Sequence, residues 1–506
     1  MSSTDPREAQ WERSKRKQFD VLIIGGGISG ACLFHHLSTE GYRVLLVEQG
    51  DFASGTSQSS TMMIWGGLLY LKDLRFPTVW RLCGSRNRLL SEKSNLVRPQ
   101  QFRYLLSRNG SRGKLLLNTA LHAYWMFGRC RGALPRSSSR FSESSFLDEA
   151  AFRESFVYEE AVLDHSDSRF VLHWVLAHQS EETVALNHCA LTGMSFNETA
   201  GSYNVLLEDK LRQDHKSEVR ARLIVNCCGP WADLVNARFG ISSPFRHILS
   251  KGVFIGVRRF PDHELPLIVD VGDKGDCMSL IPWGPISLWG PTEAGESPLT
   301  EAHDIKPEDV TLLLNELNRI LLSPQRVEDI VSLRCGVRAL VVRTDTPNSE
   351  STLELSRKFE IYCDENRPWI SVYGGKLTDC VRLARMARRK IKARIGSGSG
   401  SPRIPLAKKE PEKSSFPGLL EPTVDVNWCV NQEMCFTLED YLRRRTNIAQ
   451  WVPRGGLGWK NENRNHLKRI AEKLPTFDQS AEEHLRLYES KVVNQIDSLL
   501  SAVEIG

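Results

Sequence analysis

A chain of 506 residues, 41% hydrophobic and 25% charged, exceeds what one core usually organises, so two or three structural units are expected and disorder of the whole is excluded. Its 66 basic residues against 61 acidic ones leave a formal charge of +5, and no basic stripe interleaved with aromatics marks a nucleic-acid binder. The 12 cysteines are scattered without CxxC spacing and read as reduced structural thiols; no His/Cys cluster has metal-ligand spacing, so no metal is expected.

Residues 1–18 carry Asp5, Glu8 and Glu12 among their basic residues and lack the apolar core of a signal peptide, so they read as an N-terminal extension of a cytoplasmic protein. Residues 19–24, FDVLII, form a continuous apolar run of the kind a buried parallel strand shows, and Gly25-Gly26-Gly27 follows at once. A helix over 28–38 and a strand over 42–47, YRVLLV, complete a βαβ unit within about 30 residues. The closest approach to a membrane span is 115–128, LLLNTALHAYWMFG, which is shorter than the ~18 to 20 residues required and is interrupted by Asn118 and His122. It reads as a buried helix or as a site of peripheral membrane contact.

Strand-like stretches at 153–158, 201–208, 252–257 and 277–289 suggest a second, largely antiparallel sheet that caps a ligand. Two further apolar strands break into glycine at their carboxyl ends: 221–226 runs into Cys228-Gly229-Pro230, and 369–373 into Gly374-Gly375. In open α/β sheets that edge binds ligands. A basic helix at 376–395 runs into GSGSGSP, so 396–420 reads as a linker and 421–506 as a small helical domain. The expected fold class is therefore α/β: a Rossmann-type nucleotide domain interleaved with an antiparallel-sheet substrate domain over 19–395, followed by the helical C-terminal domain.

Gly25, Gly27 and Gly30 fit GxGxxG: the first permits the turn, the second lets the backbone approach a pyrophosphate, and the third lets helix and strand pack closely. Ile28 and Ser29 open the helix whose free N–H groups face the phosphates. Glu48, ending the second strand, suits a ribose diol and would repel a 2′-phosphate, which leaves FAD or NAD. Three features favour FAD, which needs several backbone approaches along the chain: the hydroxyl-rich loop holding Thr56, Ser57 and Ser60, the turn at Gly229, and the strand–turn–helix start Gly374, Gly375, Lys376, Leu377 and Thr378.

The segments FDVLIIGGGISGA, VLLVEQGDFASGTSQSS, WGGLLYL, CCGPW, CGVRAL and YGGKLTD, in this order, resemble the FAD-dependent glycerol-3-phosphate dehydrogenases, members of the D-amino-acid-oxidase-like flavoprotein superfamily. The resemblance covers 19–395 and extends weakly to FTLEDYLRRRT at 436–446. It implies hydride transfer from a CH–OH carbon of a small-molecule substrate to flavin N5, and delivery of electrons to a membrane quinone or to oxygen. It also implies Arg338 and Arg357 as phosphate ligands, Lys376 beside the flavin and the substrate oxygen, and Gly67 of WGGLLYL among the cofactor contacts.

The chain departs from the family where chemistry is done. Met62, Trp65 and Leu69 stand where relatives resemble lysine, histidine and arginine, and Phe254 replaces a histidine. Loss of a positioned base removes ~10²- to 10⁴-fold in proton transfer. A more apolar or less charged substrate is therefore expected, contacted by Trp65, Leu69 and Phe254. Lys376, Tyr70 and Arg338 are left as the catalytic candidates, with Lys251 and His247 as further polar groups. An amine or amino-acid oxidase of the same superfamily, or a flavin-binding protein without turnover, are the alternative readings.

Overall fold

The architecture is taken from a computed structural model that describes residues 6–15, 18–108, 110, 112–138, 144–271, 276–292, 299–300, 304–345, 358–402, 410–475, 477 and 479–505. An eight-stranded sheet has six strands in the order Phe359–Cys363, Trp369–Gly374, Lys216–Asn226, Gln18–Ile24, Val44–Val47, Thr183–Leu186, with the hairpin Cys189–Asn197 and Ser202–Asp209 branching from Lys216–Asn226. Its central pairings are parallel, from Trp369–Gly374 through to Thr183–Leu186. Phe19 to Ile24 is buried at every position because both faces of this strand are covered, which is why it reads as an unbroken apolar run. Helices Ile28–Thr39 and Cys380–Ile395 pack together on one face. Parallel pairing puts the carboxyl ends of these strands, at Ile24, Val47, Asn226 and Gly374, along one edge.

A nine-stranded sheet faces that edge, in the order Ile330–Arg343, Phe245–Arg258, Ile286–Gly290, Asp276–Trp283, Leu267–Val271, Val97–Ser107, Phe152–Leu163, Met63–Ile64, with Arg136–Ser138 beside Phe152–Leu163. All its pairings are antiparallel except Leu267–Val271 with Val97–Ser107. Three of the four expected strand regions lie here. The fourth is a correction: Ser202–Asp209 pairs antiparallel with Lys216–Asn226 and extends the first sheet. Its alternating burial fits either sheet, and the short hairpin to residue 216 decides which one it joins.

Residues 6–15 of the N-terminal segment form a helix docked on the first sheet: Trp11 is fully buried, and the Arg7 guanidinium donates twice to buried Asp209, at 2.9 and 2.8 Å. Helix Lys114–Phe127 is a helix as expected. It buries Leu117, Leu121 and Tyr124, while Leu115, Leu116 and Met126 stay exposed. Among the described residues no helix is long and apolar enough to cross a membrane. The GSGSGSP stretch is tied down by hydrogen bonds, with Ser399 donating to Asp20 and the Gly400 amide to the Gly41 carbonyl. Beyond it, helices Val426–Glu433, Ile448–Trp451, Arg464–Ala471 and Ala481–Tyr488 enclose a core of their own around Leu442, Ile448, Leu467 and Leu485, while helix Asn494–Ile505 packs Leu499, Leu500 and Val503 against the core of the second sheet.

Candidate functional site

The carboxyl edge of the first sheet, the inner face of the second and the C-terminal helices surround a cavity of about 1070 Å³. Gly25 has φ +105°, and a Cβ there would stand 2.6 Å from the Cys227 carbonyl oxygen, so only glycine turns the chain at this point. Gly27, Ile28 and Ser29 bring the start of helix Ile28–Thr39 to the cavity wall. The Ile28 amide donates to Ser57 Oγ at 3.0 Å. Gly30 lies off the wall: a Cβ there would stand 2.0 Å from the Gly25 carbonyl oxygen, so its role is close packing.

Glu48 lines the cavity and accepts from the Gly26 amide at 2.7 Å and the Gly50 amide at 2.9 Å. Burial pushes its carboxyl up, and these two amides pull it back down. Thr56, Ser57 and Ser60 lie on the same wall. Ser60 is fixed by Asp167, which accepts from its amide and hydroxyl at 2.8 and 2.9 Å and from Arg334 at 2.7 Å. Gly229, at φ +52°, faces open space that a side chain would fill.

Gly374 and Gly375, both with positive φ, carry the chain past the cavity into Lys376, Leu377 and Thr378, which all line it. The Gly374 amide donates to His247 Nε2 at 3.0 Å, so His247 supports this turn from behind. Lys376 Nζ donates to the Tyr70 hydroxyl at 2.5 Å and lies 4.3 Å from the centre of its ring. Arg338 is on the wall with its guanidinium against the Gly252 backbone, where a Cβ would stand 2.7 Å from Nη2. Trp65, Leu69 and Phe254 add an apolar surface, joined by Met63, Ile268, Met278 and Pro291.

Several expected residues sit elsewhere. Tyr70 lies behind Lys376 instead of on the wall, and Gly67, at φ +88°, shapes the turn that starts Leu68–Leu71 without lining the cavity. Met62 has φ +59° and packs in the core, while its neighbour Met63 lines the cavity. Lys251 is drawn away by Asp309, at 2.6 Å, and the Asp304 carbonyl, at 3.0 Å. Arg357 lies outside the described residues. Residue patterns gave no hint of the far wall, where Thr437, Glu439, Gln479, His484 and Lys491 from the C-terminal region meet the cavity. Asp51, His188 and Asp440 converge there, but arginines already occupy both carboxylates, which makes the trio an ion cluster.

The donor set suits an extended dinucleotide: a glycine-lined helix start for a diphosphate, a partly buried carboxylate for a sugar diol, and two further glycine turns at distant points of one cavity. Comparison with known proteins agrees. The profile of the family described as FAD dependent oxidoreductase (DAO) matches residues 20–377. The aerobic glycerol-3-phosphate dehydrogenase of Escherichia coli K12 is 30% identical over 377 residues, covering 74% of this chain and 73% of its own. The glycerol-3-phosphate dehydrogenase of Pseudomonas aeruginosa is 30% identical over 380 residues, covering 74% and 71%. Among solved structures, the Bacillus halodurans glycerol-3-phosphate dehydrogenase complexed with FAD has a similar fold, with a TM-score of 0.60 at 20% identity over 100% of this chain and 82% of its own. The FAD-bound L-α-glycerophosphate oxidase of Mycoplasma pneumoniae does too, with a TM-score of 0.56 at 18% identity over 74% and 95%.

Proposed function

The chain belongs to the family of FAD-dependent oxidoreductases, and from that premise we propose that it acts on the CH–OH group of a small anionic substrate, with glycerol 3-phosphate the nearest named candidate. Bound FAD supplies the two-electron acceptor. The observation that carries this reading is the placement of Arg338, Lys376 and the Gly374–Gly375 turn on one cavity wall. Arg338 offers a rigid fork that pairs with a phosphate or carboxylate in two hydrogen bonds. Lys376 orients the substrate oxygen, and Tyr70, whose hydroxyl accepts from Lys376 Nζ at 2.5 Å, holds that amine in place from behind the wall. Trp65, Leu69 and Phe254 exclude water and favour a substrate with an apolar flank.

Electrons leave to a quinone or to oxygen. A quinone acceptor requires a lipid surface, and Leu74, Phe76, Trp80, Leu115, Leu116 and Met126 are exposed on neighbouring segments. Exposed Lys72, Lys114 and Arg129 rim them, which suits peripheral contact with an anionic bilayer. Anaerobic rapid mixing of the FAD-loaded protein with glycerol 3-phosphate, other hydroxy acids and a set of amines tests the reading. Bleaching of the flavin absorbance by an anionic alcohol is expected; bleaching by amines alone would move the protein to the amine oxidases, and none by any compound would leave it a flavin-binding protein.

A further inference from the structure

The cavity continues past Glu48 and Gly50 to the C-terminal helices, where Glu439, His484 and Lys491 form its outer wall. Between the two regions lies the loop that follows Glu48. It carries Ser57, whose hydroxyl meets the helix-start amide of Ile28 at 3.0 Å. The C-terminal region grips this loop through charge. Fully buried Asp51 accepts from Arg444 Nε at 2.6 Å and from Arg445 Nη1 and Nη2 at 2.6 and 2.9 Å. The Gln58 carbonyl accepts from Arg443 at 2.6 Å.

Arg444 is itself held by Asp440 at 2.8 Å and Glu439 at 2.9 Å, and His188 reaches Asp440 at 2.9 Å. Burial alone would raise the Asp440 carboxyl, but His188, Arg444 and Arg445 hold it well below the usual carboxylate range. Apolar side chains of the same volume would join two units at least as strongly as buried ion pairs do. What a directional charge network adds is register, and the register fixed here is that of the segment between Glu48 and Ser60 against the Gly25–Gly30 turn. Asn187 completes the arrangement, donating to Asp51 at 2.7 Å and to the Met434 carbonyl at 2.9 Å.

We propose that Arg445, which stands off the cavity wall, is a positioning residue for FAD together with Arg444, which borders the cavity: through Asp51 they hold the loop after Glu48 in its binding register, so retention of the cofactor depends on the C-terminal helices. This rests on the reading of the cavity as an FAD site, and wild-type binding separates the two claims. If stripped wild-type protein takes up no FAD, that reading fails; if wild type binds and the variants bind equally well, only this proposal fails.

The test is titration of stripped Arg445→Gln and Arg444→Gln proteins with FAD, followed by flavin fluorescence, at a temperature where circular dichroism shows every protein folded. Each variant removes charge-assisted hydrogen bonds from the loop, and the dissociation constant is expected to rise about 10- to 100-fold. Arg445→Lys, which keeps the charge without the fork, should fall between wild type and Arg445→Gln. A constant within twofold of wild type for folded Arg445→Gln would overturn the proposal, even if its melting temperature falls, since that outcome is merely structural. Should both buried variants fail to fold, Asn187→Ser takes a neutral donor from Asp51 without touching the cavity wall. A two- to fivefold faster release of FAD is then expected, about the worth of one neutral hydrogen bond, and an unchanged rate would overturn the proposal.

Discussion

Arg338 is placed by a glycine: without a side chain at Gly252 the guanidinium lies against the neighbouring strand at the cavity wall, with Nη1 3.4 Å from Ser250 Oγ and from the Lys251 carbonyl. Arg338→Met should lower kcat/KM for an anionic substrate by about 10- to 100-fold while leaving FAD binding intact, as expected when hydrogen bonds to a charged group are lost. Steady-state kinetics beside an FAD titration checks this, and an unchanged kcat/KM would remove Arg338 from the substrate site. Three imidazoles lie buried outside the cavity wall. Burial lowers His35 to about 2, and His36 and His178 to about 4, from an ordinary 6.5. The unfolded chain therefore takes up protons below pH ~6.5 that the native chain refuses, so stability is complete above that pH and falls as pH drops toward 4. Each imidazole contributes at most ~1.4 kcal/mol per pH unit, less what solvent screens. Urea unfolding at pH 7 and pH 5 should show a smaller loss for His178→Gln than for wild type; equal losses would contradict the assignment.

At the scale of elements, two glycines of one turn make opposite predictions. Gly25→Ala forces a side chain onto the Cys227 carbonyl in a left-handed conformation and should destabilise the protein as well as its cofactor site. Gly27 has φ −75°, and a Cβ there meets only Ser57 Oγ at 3.3 Å. Gly27→Ala should therefore fold with a near-normal melting temperature and bind FAD more weakly, because the new methyl stands where a diphosphate approaches. Calorimetry with and without FAD separates the two, and equal behaviour of the variants would contradict the distinction. The strand-to-glycine turns at Gly25, Gly229 and Gly374 were legible in the sequence because an apolar run ending in glycine is a local pattern. That Met63 and not Met62 lines the cavity is not legible there, because a positive φ at Met62 reverses the alternation and leaves no trace in residue types. The grip on Asp51 was invisible for another reason: Asp51 and Arg444 are 393 positions apart, and only the folded chain pairs them.

Over the whole molecule, a nucleotide sheet, a capping sheet and a helical region close on one cavity, while Leu74, Phe76, Trp80, Leu115, Leu116 and Met126 stay exposed on the outside. Replacing Leu115 and Leu116 by aspartate should reduce flotation with anionic liposomes and leave flavin reduction by substrate unchanged, because neither side chain lines the cavity. Equal flotation would place the membrane contact elsewhere or nowhere. The claim on which the rest depends is that this cavity holds FAD, and the most direct test is to strip the purified protein and titrate it with FAD, FMN and NAD in parallel. Saturable uptake of one FAD per chain, weakened in Gly27→Ala and unmatched by FMN or NAD, is the expected result. A colourless protein that takes up no FAD would contradict the account.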